Sequence, residues 1–207
     1  MVQQDKDNEL VLIFKTELLR ELGIFQGVNS SYEKYIDAII NEKAYFFLPR
    51  KEVETDNSYK QVIPYVIITY ENTILHYVRG KGSGEKRLHA LGSIGIGGHI
   101  NYNDFSLFRS DEGAYYSAVE REVIEEINVK SEYEPSIIGV LNDDSNPVGE
   151  VHFGVIHHWK LKEPLVEKRE KEITKISFKT RAELEDEFDS LESWSQLCVK
   201  AALPVFK

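Results

Sequence analysis

Apolar residues recur at helical spacing in several stretches of the chain. Leu10, Ile13 and Phe14 follow one another at three- and four-residue steps, which predicts a helix over residues 10–22. Further helices are predicted over residues 32–40, 115–127 and 191–201, and a short acidic helix over residues 181–188.

Runs rich in β-branched and aromatic residues predict strands between these helices. Residues 62–70 and 73–78 are separated by Glu71 and Asn72, which is typical of a hairpin. Residues 50–60 are charged and polar, and we interpret them as a connector. Further strands are predicted over residues 45–48, 91–100, 137–141 and 151–161. Strands that alternate with helices indicate an α+β protein, an α/β/α sandwich built on a mixed sheet.

Composition narrows the class of protein. The chain has 207 residues and a formal net charge of -10, which argues against a partner that is a nucleic-acid polymer. Its single cysteine, Cys198, excludes an intrachain disulfide and a cysteine cluster for zinc. Residues 1–9 are polar and acidic, unlike a secretory signal, and no apolar run approaches the roughly 20 residues of a membrane span. We therefore expect a cytoplasmic protein that does not bind membranes.

The helix predicted over residues 115–127 carries a cluster of acidic side chains. Glu122, Glu125 and Glu126 are related by three- and four-residue steps, so their carboxylates share one face. Like charges at this spacing destabilise a helix by a few tenths of a kcal/mol per pair. The face is therefore either fully solvated or arranged around a cation. A neighbouring apolar stripe is predicted to pack on the sheet: Tyr116, Val119, Val123 and Ile127.

A glycine-rich segment precedes this helix. Residues 95–100 read Gly-Ile-Gly-Gly-His-Ile, a strand end whose backbone carbonyls can reach a metal ion. Clustered carboxylates and carbonyls suit Mg²⁺ or Mn²⁺, hard ions that prefer oxygen ligands.

Residues 121–129 resemble the second half of the Nudix box, in which Arg-Glu, an apolar residue, any residue, Glu-Glu, any residue, Gly and an apolar residue follow one another. Every position matches except the glycine, which is Asn128, a residue that tolerates the left-handed conformation at a helix C-terminus. The first half is remodelled, because Gly98 and Arg121 are 23 positions apart instead of the family's fourteen. Residues 101–113 therefore contain an insertion, and Glu112 is one residue out of register for the first glutamate of the box.

The resemblance implies roles for individual residues. Glu125 and Glu126 are expected to bind Mg²⁺ or Mn²⁺, together with the carbonyl of Gly97. Glu122 is expected to be the general base or a further metal ligand. Arg121 is expected to orient a carboxylate by reaching Glu125.

The resemblance also implies roles for residues outside the Nudix box. Some enzymes of the superfamily take their base or last metal ligand from a distant loop, for which Glu150 is the candidate ahead of Glu170 and Glu172; a surface glutamate is the alternative. Arg79 resembles a phosphate-contacting position. Arg87 belongs, with Lys81 and Lys86, to a basic loop that either meets the distal phosphate or is plainly solvated.

Histidines and aromatic residues leave alternatives open. His157 and His158 lie in a predicted strand and are expected to be structural, whereas His99, at the end of the glycine-rich segment, is the histidine to test.

The aromatic residues of the insertion can stack on a base or sugar, form a local hydrophobic contact or take part in a dimer: Tyr102, Phe105 and Phe108.

Residues 61–206 resemble a Nudix domain in the order of elements, and in particular an uncharacterised bacterial Nudix group with a Gly-Gly-His-Ile strand end and an extended box loop. The implied organisation is an N-terminal helical extension, residues 1–60, packed on a Nudix domain, residues 61–207, with a homodimer as a further expectation. The implied function is metal-dependent hydrolysis of the pyrophosphate bond in a nucleoside diphosphate linked to another group. Alternatives are a catalytically silent Nudix-fold protein that binds a nucleotide metabolite, and a diphosphate isomerase, which would need a catalytic cysteine that Cys198 is badly placed to supply.

Overall fold

The computed structural model of the chain describes residues 8–80, 91–106, 111–169, 173–201 and 203–206. These residues form two compact units, each assembled from three segments. The first unit takes its described residues from the ranges Met1–Pro64, Gly98–Glu120 and Gly139–Val155. The second takes them from Tyr65–Gly97, Arg121–Ile138 and Ile156–Lys207.

Twelve strands are present in the described part of the chain. In order they are β1 (Leu10–Lys15), β2 (Gly27–Asn29), β3 (Phe46–Pro49), β4 (Tyr59–Tyr70), β5 (Thr73–Arg79), β6 (Gly92–Ser93), β7 (Gly95–Ile96), β8 (Ile127–Val129), β9 (Tyr133–Asn142), β10 (His152–Leu161), β11 (Val166–Lys168) and β12 (Ile173–Thr180).

Eight α-helices accompany them within the same described ranges. They are α1 (Thr16–Leu22), α2 (Glu33–Ile36), α3 (Arg50–Val53), α4 (Tyr102–Ser106), α5 (Asp111–Glu126), α6 (Pro147–Glu150), α7 (Arg181–Asp186) and α8 (Ser193–Lys200). A π-helical turn, Asp37–Asn41, extends α2, and 3₁₀ turns follow α7 at Phe188–Ser190 and α8 at Pro204–Phe206.

The first unit is organised around β1. This strand pairs antiparallel with β3 and with the first residues of β4, while β2 pairs antiparallel with the end of β9. Val11, Ile13 and Val53 form a buried cluster between these elements. Further along, the Phe14 and Phe153 rings meet edge to face, with their centroids 5.3 Å apart.

The second unit is built on antiparallel pairs. β12 pairs with β5, β5 pairs with β4, and the short strands β6 and β7 pair with β5 and β4 respectively. β8 and β11 form a separate two-stranded sheet. The hairpin predicted around Glu71 is present, because Tyr70 pairs with Thr73.

Strand β10 is the parallel neighbour of β4. In the first unit the Gln61 amide donates to the Val151 carbonyl at 2.8 Å, and in the second the Thr69 hydroxyl lies 2.7 Å from Nε2 of His158. Both strands therefore advance in the same direction. The sheet is mixed and the class is α+β, as expected.

The first predicted helix is wrong over its first half. Residues 10–15 form strand β1, and only Thr16–Leu22 are helical. Val11 to Phe14 are all buried, so the segment has no polar face for a helix to turn toward water, and a fully buried strand suits such a continuous apolar run. The N-terminal extension is therefore not purely helical.

The predicted connector at residues 50–60 is also structured. It contains helix α3 and the first two residues of β4, and Val53 is fully buried. The burial of Val53 could not be predicted from the polar residues around it, because a single buried residue produces no periodic pattern. The N-terminal residues belong to the same compact unit as two later segments of the chain.

Helix α5 buries the predicted stripe with one exception. Val119 and Val123 are buried, as is Ile127, which is already the first residue of β8. Tyr116 is 42% exposed, and Tyr115 takes the inner position. The buried row Tyr115, Val119, Val123 advances by four residues at each step, and Tyr116 lies beside that row. The acidic residues of the helix remain on the neighbouring face.

Candidate active site

The last turn and a half of α5 brings the predicted acidic residues together with Arg121. Nη1 of Arg121 donates to Oε1 of Glu122 at 2.7 Å and lies 3.4 Å from Oε1 of Glu125. The contact with Glu125 is the expected four-residue step, and the shorter contact with the adjacent Glu122 was not expected. One guanidinium thus holds two of the three carboxylates.

Glu122 is the more deeply buried of the two carboxylates that contact Arg121. Its side chain is 14% exposed, whereas that of Glu125 is 56% exposed. Burial raises the pKa of Glu122 to about 7, with smaller contributions from Glu125 and Glu126, and the Arg121 guanidinium opposes the rise. Near neutral pH this carboxyl can therefore exchange a proton, which a carboxylate with an ordinary pKa cannot do as readily.

The C-terminus of α5 continues directly into strand β8. The Arg169 backbone amide donates to the carbonyl of Glu126 at 3.1 Å, and its guanidinium donates to the carbonyl of Ile124 at 2.9 Å. A cation at this position satisfies terminal carbonyls and complements the helix dipole. The turn that carries the glutamates is thereby fixed at its end.

Asn128 does not adopt the conformation that its place in the Nudix box suggested. It lies within β8 opposite Glu167. In the described part of the chain the residues other than glycine with positive φ are Lys43 and Glu71, so Asn128 is not left-handed. The strand pairing with β11, and not a left-handed cap, ends the helix.

The glycine-rich segment is held in place by the ring of Tyr65. A Cβ atom on Gly95 would lie 2.1 Å from that ring, so the position accepts no side chain. The Tyr77 hydroxyl donates to the Gly95 carbonyl at 2.9 Å, and the Ser93 hydroxyl donates to the same oxygen at 3.0 Å. These contacts fix the backbone immediately before Gly97.

A buried carboxylate connects this segment to the last helix. The Tyr65 hydroxyl donates to Glu192 at 2.6 Å, and Glu192 accepts the amides of Trp194 and Ser195 at the start of α8, each at 2.8 Å. The Ser195 hydroxyl accepts the amide of Ile94 at 3.0 Å. This network was missed from the sequence, because Tyr65 and Glu192 are 127 positions apart.

The donor types at the end of α5 suit a hard divalent cation. Three carboxylates share the last turn and a half of one helix, and Arg121 compensates only part of their charge. Within the described residues, no three side chains of His, Cys, Asp or Glu are already gathered around a common metal position. The residues fit such an ion by chemistry, and the side chain of Glu122 is turned toward Arg121.

The other predicted site residues are placed as follows. Glu150 is exposed at the end of α6, a helical turn within the predicted loop. Gly97 is half-buried and follows β7. Arg79 ends β5, but its side chain lies outside the described residues. The remaining candidates also lie outside them: Lys81, Lys86, Arg87, Glu170 and Glu172.

Of the three histidines considered in the sequence analysis, His157 and His158 lie in the second unit. His157 is 1% exposed, and burial lowers its pKa to about 3. Nε2 of His158 lies 2.7 Å from the Thr69 hydroxyl. His99, in the first unit, lies 2.9 Å from Oε1 of Gln61 and 3.4 Å from Nε2 of His152.

The aromatic residues of the insertion pack with the N-terminal segment. The Phe105 ring lies 5.3 Å from that of Tyr45 and 5.2 Å from that of Phe47, while Tyr102 lies 5.4 Å from Phe47 and is 52% exposed. Of the three roles considered for these aromatic residues, the contacts match the local hydrophobic one. Phe108 lies outside the described residues.

No helix in the described ranges has both the length and the apolar character required to cross a membrane.

Two known proteins resemble this chain over nearly its whole length. Protein YmaB of Bacillus subtilis (strain 168) is 36% identical over 212 aligned residues, which cover 94% of this chain and 97% of YmaB. The crystal structure of Tm1382, described as a candidate Nudix hydrolase, superposes with a TM-score of 0.79 at 31% identity, over 96% of this chain and 100% of Tm1382.

A more distant structure shares the fold alone. DR0079 from Deinococcus radiodurans superposes with a TM-score of 0.53 at 11% identity, over 68% of this chain and 81% of its own. No family model matches the chain. The full-length likeness to Tm1382, together with the box residues at the end of α5, places this chain in the Nudix hydrolase superfamily.

Proposed function

We propose that this protein is a divalent-metal-dependent Nudix hydrolase that cleaves the pyrophosphate bond of a nucleoside diphosphate linked to another group. The observation that carries the proposal is the intact acidic end of α5. Glu122, Glu125 and Glu126 are all retained there, and Arg121 lies 2.7 Å from Glu122. A protein that only binds its ligand has no need of all three carboxylates.

Glu125 and Glu126, with the carbonyl of Gly97, would hold the ion, either Mg²⁺ or Mn²⁺. Such an ion supplies charge stabilisation at phosphorus and activates water as a nucleophile. The exposed carboxylate of Glu125 is accessible to an ion that enters from solvent. The anchored strand β7 keeps the backbone before Gly97 in one position.

Glu122 is the proposed general base, with a role as a further metal ligand as the alternative. Its half-buried carboxyl can accept a proton from the attacking water, because burial raises its pKa to about 7. Arg121 orients this carboxylate through the 2.7 Å contact. Glu150, which is exposed at the end of α6, remains a second candidate on the strength of the resemblance.

The other components follow from the resemblance. Arg79 and Arg87 are proposed to contact the substrate phosphates. The protein is proposed to act in the cytoplasm on a small molecule, not on a nucleic-acid polymer, and to form a homodimer. The helix and strand segments of residues 1–60 are proposed to cover the Nudix domain formed by residues 61–207.

The test is product release from a panel of nucleoside diphosphate derivatives and nucleoside triphosphates, with Mg²⁺, with Mn²⁺ and with chelator. Glu126→Gln should lower turnover at least about a hundredfold, because even indirect supports of a metal site are worth 10- to 100-fold. Glu120→Gln is the matched control, since Glu120 is exposed on the same helix but outside the acidic cluster.

Turnover that requires metal and is lost only in Glu126→Gln would support the hydrolase. If no compound is hydrolysed but one binds tightly to the wild type, the proposal is wrong and the ligand-binding alternative replaces it. Release of an isomer without phosphorus–oxygen cleavage would equally overturn it, in favour of the isomerase.

A further inference from the structure

Two histidines in the first unit direct the same ring nitrogen toward each other. Nε2 of His99 and Nε2 of His152 lie 3.4 Å apart, and the ring centroids are separated by 5.4 Å with an interplanar angle of 66°. His99 follows the glycine-rich segment and His152 begins β10, so the pair joins residues 53 positions apart. Both rings are half-buried and therefore within reach of solvent.

We propose that His99 and His152 form a binding site for a divalent cation of the Zn²⁺ class, with the side-chain carbonyl of Gln61 as a third donor. Oε1 of Gln61 lies 2.9 Å from Nε2 of His99, the same nitrogen that faces Nε2 of His152. The site is separate in composition from the carboxylates of α5, and its existence does not depend on hydrolysis.

The spacing of the two rings agrees with a shared tetrahedral ion. Two nitrogens each about 2.05 Å from one tetrahedral ion are about 3.3 Å apart, and their ring centroids about 5.2 Å apart. The observed separations of 3.4 and 5.4 Å are within about 0.2 Å of both values. An octahedral arrangement would bring adjacent nitrogens closer, to about 3.0 Å, so the geometry favours the tetrahedral one.

The hydrogen bonds around the pair determine which ring nitrogens carry protons. Nδ1 of His152 lies 2.7 Å from the Val148 carbonyl, which can only accept, so the proton is on Nδ1 and the lone pair is on Nε2. A backbone carbonyl that fixes the far nitrogen is the usual support for a metal-binding imidazole. Nε2 of Gln61 donates to the Val151 carbonyl at 3.4 Å, which turns Oε1 of Gln61 toward His99. Because Oε1 can only accept, Nε2 of His99 carries the proton of this contact, and binding of the ion releases that proton or moves it to Nδ1.

The donor set selects the class of ion. Imidazole nitrogens suit Zn²⁺ and its transition-metal neighbours, whereas Mg²⁺ prefers oxygen ligands. Two imidazoles and one amide oxygen leave at least one position for water or an incoming donor. Such an incomplete protein shell predicts a weaker affinity than that of closed four-ligand structural sites.

The test is Zn²⁺ binding by isothermal titration calorimetry to the full chain, stripped with chelator and then supplied with excess Mg²⁺. We expect one Zn²⁺ per chain. His99→Gln and His152→Gln should each weaken binding at least tenfold. His158→Gln is the matched control on the same strand, β10, and Glu126→Gln removes a proposed ligand of the other site; both should bind within twofold of wild type.

Absence of Zn²⁺ binding, retention of affinity in both His99→Gln and His152→Gln, or loss of affinity in Glu126→Gln would each overturn the proposal. A measurement on wild type removes any dependence on variant folding. In ¹⁵N spectra of the imidazoles, Zn²⁺ should shift the Nε2 resonances of His99 and His152 together. If those resonances do not move during the titration, the pair is only a hydrogen bond.

Discussion

The buried imidazole of His157 should make the protein sensitive to mild acid. His157 is 1% exposed, and burial lowers the pKa of its side chain from 6.5 to about 3. In the unfolded chain the same ring takes up a proton at its ordinary pKa. Between these two pKa values the unfolded state therefore binds one more proton than the native state, and stability falls as pH decreases.

The size of the effect follows from the two pKa values. At pH 7 the unfolded imidazole is about one-quarter protonated, and at pH 5 it is almost fully protonated, while the native ring stays neutral. Integrating this difference gives a loss of about 2 kcal/mol in the free energy of unfolding between pH 7 and pH 5. The loss continues until the pH approaches about 3, the native pKa.

The assay is equilibrium unfolding in urea at pH 7 and pH 5, for wild type and for His157→Gln. The variant should lose about 2 kcal/mol less than wild type over this interval, whatever its stability at pH 7. Val155→Ala is the control, because it removes buried apolar volume from the same strand without removing a titrating group. Equal acid sensitivity in His157→Gln and wild type would refute the reasoning.

Two further substitutions test the contacts that support the site region. Gly95→Ala places a methyl group 2.1 Å from the Tyr65 ring, so we expect a loss of about 3 kcal/mol in urea unfolding; a loss below about 1 kcal/mol would show that the ring moves freely. Lys60→Met removes a buried ammonium that lies 2.5 Å from Asp144 and 2.9 Å from the Gly149 carbonyl. Because Asp144 can regain water, we expect a loss of about 2 kcal/mol, less than for a fully buried pair, and an unchanged stability would contradict this.

Local periodicity predicted the elements that present one face to water. Helix α5 could be located because it combines buried and solvated positions. The hairpin of β4 and β5 could be located although both strands are almost entirely buried, because two β-rich runs flank Glu71 and Asn72. Strand β1 was misassigned because all four of its central residues are buried, and a run without polar positions has no period to read. The error thus lies where the chain is buried on both faces.

The acidic end of α5 could be predicted because its carboxylates follow one another on a single helix. Its electrostatics could not, because the raised pKa of Glu122 depends on how deeply the helix is covered. The sequence also placed Asn128 at a left-handed helix end, whereas pairing of β8 with β11 makes it extended. A short-range motif therefore predicts which acidic residues share one helix face, but strand pairing decides the backbone that holds them.

The environment of His99 shows the same dependence on pairing at long range. Parallel alignment of β4 with β10 places Gln61 beside Val151, and His152 is the next residue on that strand. A shift of one residue in this register would turn the His152 side chain to the opposite face of the sheet and separate it from His99. No spacing within the sequence encodes that register, because it is fixed by the burial of both strands. The Nε2 atoms of the two imidazoles therefore face each other only as a consequence of the folded sheet. For this reason the sequence motif pointed to His99 but not to His152.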